Sequence, residues 1–236
     1  MNKEKKVEFT QKWIGDAVKK LLQKEDIYES DMERIKYLRI GERFDYCGYI
    51  IEMSIETPPD PFYATDGGDE WEPDGGAIVT GRFIQLFIDY MKENPFIINL
   101  TTGEHFLHLS QFNFWHKYKE EYKELETEEE GEDWEDTEKK WKSFEKTILF
   151  EVYREKFDNG DAFYKWYYQA GRTIQQDIGL FTGVEVLRLY GAEYQDMAFL
   201  MAMPLLRALE VAETKFVSYE GIDDLVRLKQ LCCWLL

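Results

Sequence analysis

A formal charge of −18, from 47 carboxylates against 29 lysines and arginines in 236 residues, argues against a protein that meets nucleic acid or anionic membrane by charge attraction. With 44% apolar and 16% aromatic residues, the chain can bury a substantial core, in one elongated domain or two small ones. Its three cysteines, Cys47, Cys232 and Cys233, make no disulfide framework and point to free thiols in a reducing cytoplasm.

Residues 1–8 are basic but are not followed by an apolar stretch, and no apolar run approaches transmembrane length. The expectation is a cytoplasmic protein without signal peptide or membrane span. Over residues 8–24, Phe9, Trp13, Ile14, Ala17, Val18, Leu21 and Leu22 recur at helical spacing, which predicts an amphipathic helix. Ser30 and Glu33 have the spacing of a capping box for a short helix entering Ile35, and residues 49–55, which alternate in part, are expected as a second strand. Pro58, Pro59 and Pro61, then two Gly-Gly pairs, make residues 57–76 a loop. A helix is expected over residues 79–94, ended by Pro95, then a short strand over residues 96–100. Residues 105–122 are aromatic-rich and ambiguous, with helix expected toward their end.

From Lys119 to Glu138 there are 12 carboxylates against two lysines, so more than half of the surplus charge lies in one stretch. Runs of like charge are ordinarily solvated or disordered. Tyr122, Leu125 and Trp134 leave room for an acidic helix or a docking segment. A strand follows over residues 147–152, then Asn159-Gly160-Asp161 as a turn before a helix carrying Phe163, Trp166, Tyr167 and Ala170.

The last third carries a period. Val184-x-x-Leu187-x-Leu189, Leu206-x-x-Leu209-x-Val211 and Leu228-x-x-Leu231-x-Cys233 begin 22 residues apart. The last two apolar positions of each phrase fit alternation along a short strand, with the first anchoring the turn before it. Pro204 and Asp223-Asp224 suit the chain reversals between them. A further copy stands near the start: Ile35, Leu38 and Ile40 match the pattern, and Leu38-Arg39 repeats Leu187-Arg188. Twenty-two residues beyond it the chain reads Thr57-Pro58-Pro59-Asp60-Pro61, which interrupts the ladder because proline lacks the amide donor.

On these phrases the chain resembles bacterial leucine-rich repeat proteins of irregular type, over residues 27–41 and 173–236. The resemblance implies a curved parallel sheet and a role in binding another protein. The expected fold is α/β: a short leucine-rich-repeat solenoid, with an N-terminal helix and first strand in residues 1–41, a large α/β insertion or companion subdomain in residues 42–172, and repeats in residues 173–236. The strand positions between inward residues form the candidate partner surface: Arg39, then Arg188 and Tyr190, Glu210 and Ala212, Cys232 and Trp234. Glu185, Arg207 and Lys229, second in successive phrases, are expected to be exposed as well. Arginine and aromatic residues of this kind carry much of the energy of protein contacts.

Other strings offer chemistry. Gly67-Gly68-Asp69-Glu70-Trp71 is similar to the Gly-Gly-Asp-Glu-Phe signature of diguanylate cyclases. It lies in a Pro/Gly loop, however, with Trp for Phe and no basic residue near to meet a phosphate. Asp66, Asp69, Glu70, Glu72 and Asp74 supply oxygen ligands of the kind calcium takes, though not in EF-hand order. His105 and His108, with His116 beyond, would share a metal only from one helix face and with a third ligand from elsewhere. No nucleophile elbow, phosphate loop or His-Glu-x-x-His motif is present.

The reading is a non-catalytic protein-binding module without a cofactor, whose partner is another, basic, protein and neither nucleic acid nor membrane. In size and charge it looks like the small acidic proteins that neutralise toxins. The alternative is a metal-dependent site or enzyme built on the 57–76 loop with His105 and His108. The apolar run at residues 231–236 leaves a strand edge that must be covered, either by the 42–172 insertion within a monomer or by a second copy.

Overall fold

The computed structural model describes residues 4–42, 48–59, 77–80, 82–93, 97–98, 105–108, 118, 134–212, 214–218 and 220–234. Helices are α1 (Lys12–Leu22), α2 (Glu29–Met32), α3 (Arg82–Glu93), α4 (Trp134–Ser143) and α5 (Gly160–Ile178). Strands are β1 (Tyr37–Glu42), β2 (Gly48–Ser54), β3 (Ala77–Thr80), β4 (Ile97–Ile98), β5 (His105–His108), β6 (Thr147–Val152), β7 (Val186–Tyr190), β8 (Glu193–Tyr194), β9 (Ala208–Ala212), β10 (Lys215–Phe216) and β11 (Gln230–Trp234). The fold is mixed α/β.

The apolar phrases sit on a parallel ladder. Leu187, Leu209 and Leu231 are register neighbours across β7, β9 and β11, and Leu38 of β1 joins them beside Leu187. The 22-residue spacing is thus the register itself. A second, shorter pair keeps the same interval, with Glu193 of β8 opposite Lys215 of β10. Between β8 and β9, and between β10 and β11, the chain runs through 3-10 turns at Ala198–Ala202 and Ile222–Arg227. Gly221, at φ 84°, opens the second of these; a Cβ there would lie 2.4 Å from the Met197 carbonyl carbon, so glycine is required.

The larger sheet runs β3-β11-β9-β7-β1-β2-β6, with β2, β6 and β3 antiparallel to their neighbours. Strands β2, β3 and β6, all within residues 42–172, are therefore part of the same sheet as β7, β9 and β11 and flank the parallel ladder at both ends. Val79 of β3 pairs with Leu231 of β11, so the strand that ends the repeat ladder is covered from within the chain. The smaller sheet runs β4-β5-β10-β8.

One face of the large sheet carries Leu38, Ile40, Leu187, Leu189, Leu209, Val211 and Leu231 into the main core. There they meet Ile14 and Val18 of α1, Phe83 and Phe87 of α3, and Ile174 and Ile178 of α5. The Asp177 carboxylate accepts the amide N–H groups of Thr10 and Gln11, at 2.8 and 2.7 Å, and so satisfies the start of α1 from the far end of α5. Burial pushes this carboxyl above its ordinary range, although the two amide donors oppose it.

Several local expectations change. The expected helix over residues 79–94 begins as strand, with β3 reaching Thr80 before α3 starts at Arg82. Ser30 lies inside α2; the carboxylate that reaches back is that of Asp31, 3.0 Å from the Tyr28 amide. Of the acidic stretch, residues 134–138 open α4, while residues 119–133 lie outside the described residues. No helix of the described residues is long and apolar enough to cross a membrane.

Candidate functional site

The row read from the sequence does share one face of the sheet. Glu52 of β2, Arg39 of β1, Arg188 of β7, Glu210 of β9 and Cys232 of β11 are successive register neighbours. Alternation puts them opposite the leucines that enter the main core.

Their side chains close on one another. Arg39 Nη1 donates to Glu52 Oε1 at 2.8 Å, and Arg188 Nε lies 2.9 Å from Glu210 Oε2. The Tyr190 hydroxyl donates to Glu210, and the Tyr37 hydroxyl reaches Glu52 at 3.4 Å. Lys146 adds a second cation 3.8 Å from Glu52. The Arg39 guanidinium lies 4.6 Å over the Tyr190 ring, and that of Arg188 lies 4.4 Å over Trp141 of α4. Burial, and for Tyr190 the Glu210 charge, push both tyrosines well above the ordinary phenol range, so their hydroxyls remain hydrogen-bond donors at neutral pH. Burial opposes the Arg188 charge, but the surrounding acidic oxygens outweigh it and the guanidinium stays protonated.

This corrects the expected exposure of the row. Glu210 is 3% exposed, Ala212 and Cys232 are buried, and Arg39, Arg188 and Tyr190 are only partly accessible. The physical reason is cover. α4 lies on this face, where Trp141 and Phe144 join Tyr37, Val186, Ala208 and Cys232 in an apolar cluster apart from the main core. Arg39, Arg188, Tyr190 and Glu210 therefore spend their polar groups within the chain.

The second-position residues divide. Glu185 lies between Lys36 at 3.9 Å and Arg207 at 3.7 Å, and Arg207 also donates to the Pro58 carbonyl at 2.9 Å, tying the 57–59 segment to the repeats. Lys229 is exposed, as expected. Trp234 is the register neighbour of Ala212, and its side chain lies outside what is described.

Glu52, Tyr37, Lys146 and Trp141 were missed in the sequence. Tyr37 had a signal, since it stands two before Arg39 and so on the same face. Glu52 and Trp141 had none, because each arrives through a pairing or packing that no local pattern encodes.

The alternative site changes form. His105 and His108 fall on a strand, β5, and not on a helix. Among the described residues no group of three or more His, Cys, Asp or Glu is placed to hold a metal ion. Residues 60–76, with the Gly67–Trp71 string and the five calcium-type carboxylates, lie outside them, as does His116.

A different surface is open. Arg227 donates to the carbonyls of Met203, at 2.7 Å, and Leu200, clamping the second 3-10 turn against the first. Beside this clamp Met201, Leu205 and Val226 are 67%, 52% and 54% exposed. Compared with known proteins, the chain matches no family model, no curated protein and no solved structure.

Proposed function

We propose that the chain is a non-catalytic protein-binding protein of leucine-rich-repeat type, acting in the bacterial cytoplasm on a basic protein, as toxin-neutralising immunity proteins do. The observation that supports this reading is the turn side of the repeats. Successive units leave three large apolar side chains, Met201, Leu205 and Val226, in water. Glu220 and Asp223 are exposed at the turn that carries Val226, with Asp223 paired to Lys92 at 2.5 Å. An apolar centre with a charged rim is the anatomy of a protein interface. A chain of net charge −18 favours a cationic partner.

The test is recovery from native extract with the full chain and with Met201→Asp/Leu205→Asp/Val226→Asp, followed by reconstitution from the purified partner. A basic protein that forms a stoichiometric complex with the full chain, and is lost with the triple variant, supports the reading. A stoichiometric bound metal and no protein partner would overturn it in favour of a metal-dependent site on the 57–76 loop. Retention undiminished in the triple variant would move the interface elsewhere.

A further inference from the structure

We propose that Met201 is an oxidation site of this chain, and that conversion of its thioether to a sulfoxide by hydrogen peroxide closes the turn-side surface to a partner. The proposal rests on the protein-binding reading and adds its regulation.

The methionines divide by depth. Met32, Met53, Met91, Met197 and Met203 are each no more than 1% exposed, whereas Met201 is 67% exposed. Oxidation requires the oxidant to reach the sulfur lone pair, so its rate follows access. Among the described residues, Met201 is the one methionine that peroxide meets without an opening of the fold.

The backbone keeps it there. Met201 stands in the 3-10 turn Ala198–Ala202, between Met197 and Met203, which both enter the main core. The Met197 amide donates to the Glu220 carbonyl at 2.8 Å, and the Met203 amide donates to the Leu200 carbonyl at 3.0 Å. Arg227 donates to the carbonyls of Leu200 and Met203, on either side of Met201. Held at both flanks, the turn cannot exchange an inner methionine for the outer one without breaking this clamp.

In the oxidation, a sulfur lone pair attacks one peroxide oxygen, and the S–O bond forms as the O–O bond breaks. The departing hydroxide takes the proton from the new S–OH group and leaves as water. Sulfur gives up two electrons and peroxide gains them. The turn side, where Met201, Leu205 and Val226 are exposed, thereby exchanges an apolar group for a polar one. A partner closing on this patch must then strip water from the sulfoxide oxygen, which costs affinity. Dithiol-dependent sulfoxide reductases reverse the step, the oxygen again leaving as water.

The test treats the folded full-length chain briefly with hydrogen peroxide, digests it with trypsin and maps the added oxygen by tandem mass spectrometry. Cleavage after Arg188 and Arg207 yields one peptide carrying Met197, Met201 and Met203, so the comparison is internal. Met201 is expected to oxidise at least about tenfold faster than either neighbour in the folded chain, and no faster than they do in urea. Comparable rates in the folded chain overturn the proposal. The oxidised chain is then titrated with the purified partner alongside Met201→Leu, which keeps the apolar volume without a sulfur. Peroxide should weaken binding by the wild type at least about fivefold and leave Met201→Leu unaffected. Loss in both, or in neither, contradicts the switch. The melting temperature should not change on treatment, and a fall would place the effect in the core and count against it. If the untreated chain retains no protein, the binding reading has failed. Selectivity at Met201 is read from the mass spectra alone, so the two failures are distinct.

Discussion

Glu210 is the residue on which the charged face turns. It is buried, faces the Arg188 guanidinium and accepts from the Tyr190 hydroxyl. Removing one member of such a pair leaves the other charge without water or partner, whereas replacing both with apolar groups of similar size is often tolerated. Glu210→Leu is therefore expected to lower stability by about 3–5 kcal/mol, and Arg188→Met/Glu210→Leu to recover most of it. Urea unfolding midpoints check this; a double variant no better than the single one would mean the pair does not act as a unit. Asp31 is a second buried carboxylate, held below the ordinary range chiefly by the Lys24 ammonium, with the Tyr28 amide helping against burial. A group whose folded pKa is depressed contributes stability above its unfolded pKa of about 3.9, and that contribution disappears as pH falls through the folded value. The melting advantage of wild type over Asp31→Asn should be constant near neutrality and shrink below about pH 4. An advantage that grows on acidification would contradict the assignment. Gly41 is fixed by backbone: at φ 150°, a Cβ would lie 2.0 Å from the Tyr190 carbonyl oxygen, so Gly41→Ala should destabilise by at least about 1–3 kcal/mol, read from the same midpoints.

Among the elements, the parallel ladder was the most legible. A parallel strand buried on the core side repeats its apolar positions at the length of the connecting unit, so Leu38, Leu187, Leu209 and Leu231 announced both the strands and their alignment. The strands that flank the ladder were readable singly but not in their pairing, because nothing local in Val79 or Leu149 names Leu231 or Ile51 as neighbour. Residues 79–80 were absorbed into the following helix, since a short apolar run abutting an amphipathic one shows no clear change of period. Arg39, Arg188, Tyr190 and Glu210 were recognised as sharing a face, but their burial was not. The cover comes from Trp141 and Phe144, in a segment so polar that it reads as solvent-facing. The register has its own test in Leu209, fully buried at the centre of the ladder. Leu209→Ala should cost about 2–5 kcal/mol, and a melting shift no larger than that of a surface variant would refute it.

At the scale of the whole molecule, one sheet joins the parallel ladder of β1, β7, β9 and β11 to β2, β6 and β3, and β3 closes the ladder at β11. Because that edge is covered internally, light scattering is expected to give the mass of one chain at every concentration. A mass that doubles with concentration would show a second copy at an edge or on the turn side. A net charge of −18 should draw a cationic partner over a distance set by salt, roughly 8–10 Å under cellular conditions. The most direct measurement is therefore an affinity titration of the full chain with the partner it retains, repeated with Met201→Asp/Leu205→Asp/Val226→Asp, at about 0.05 M and about 0.5 M salt. Binding that weakens with salt and falls at least about tenfold in the triple variant is the expected result. Binding indifferent to both, or no protein bound at all, would contradict it.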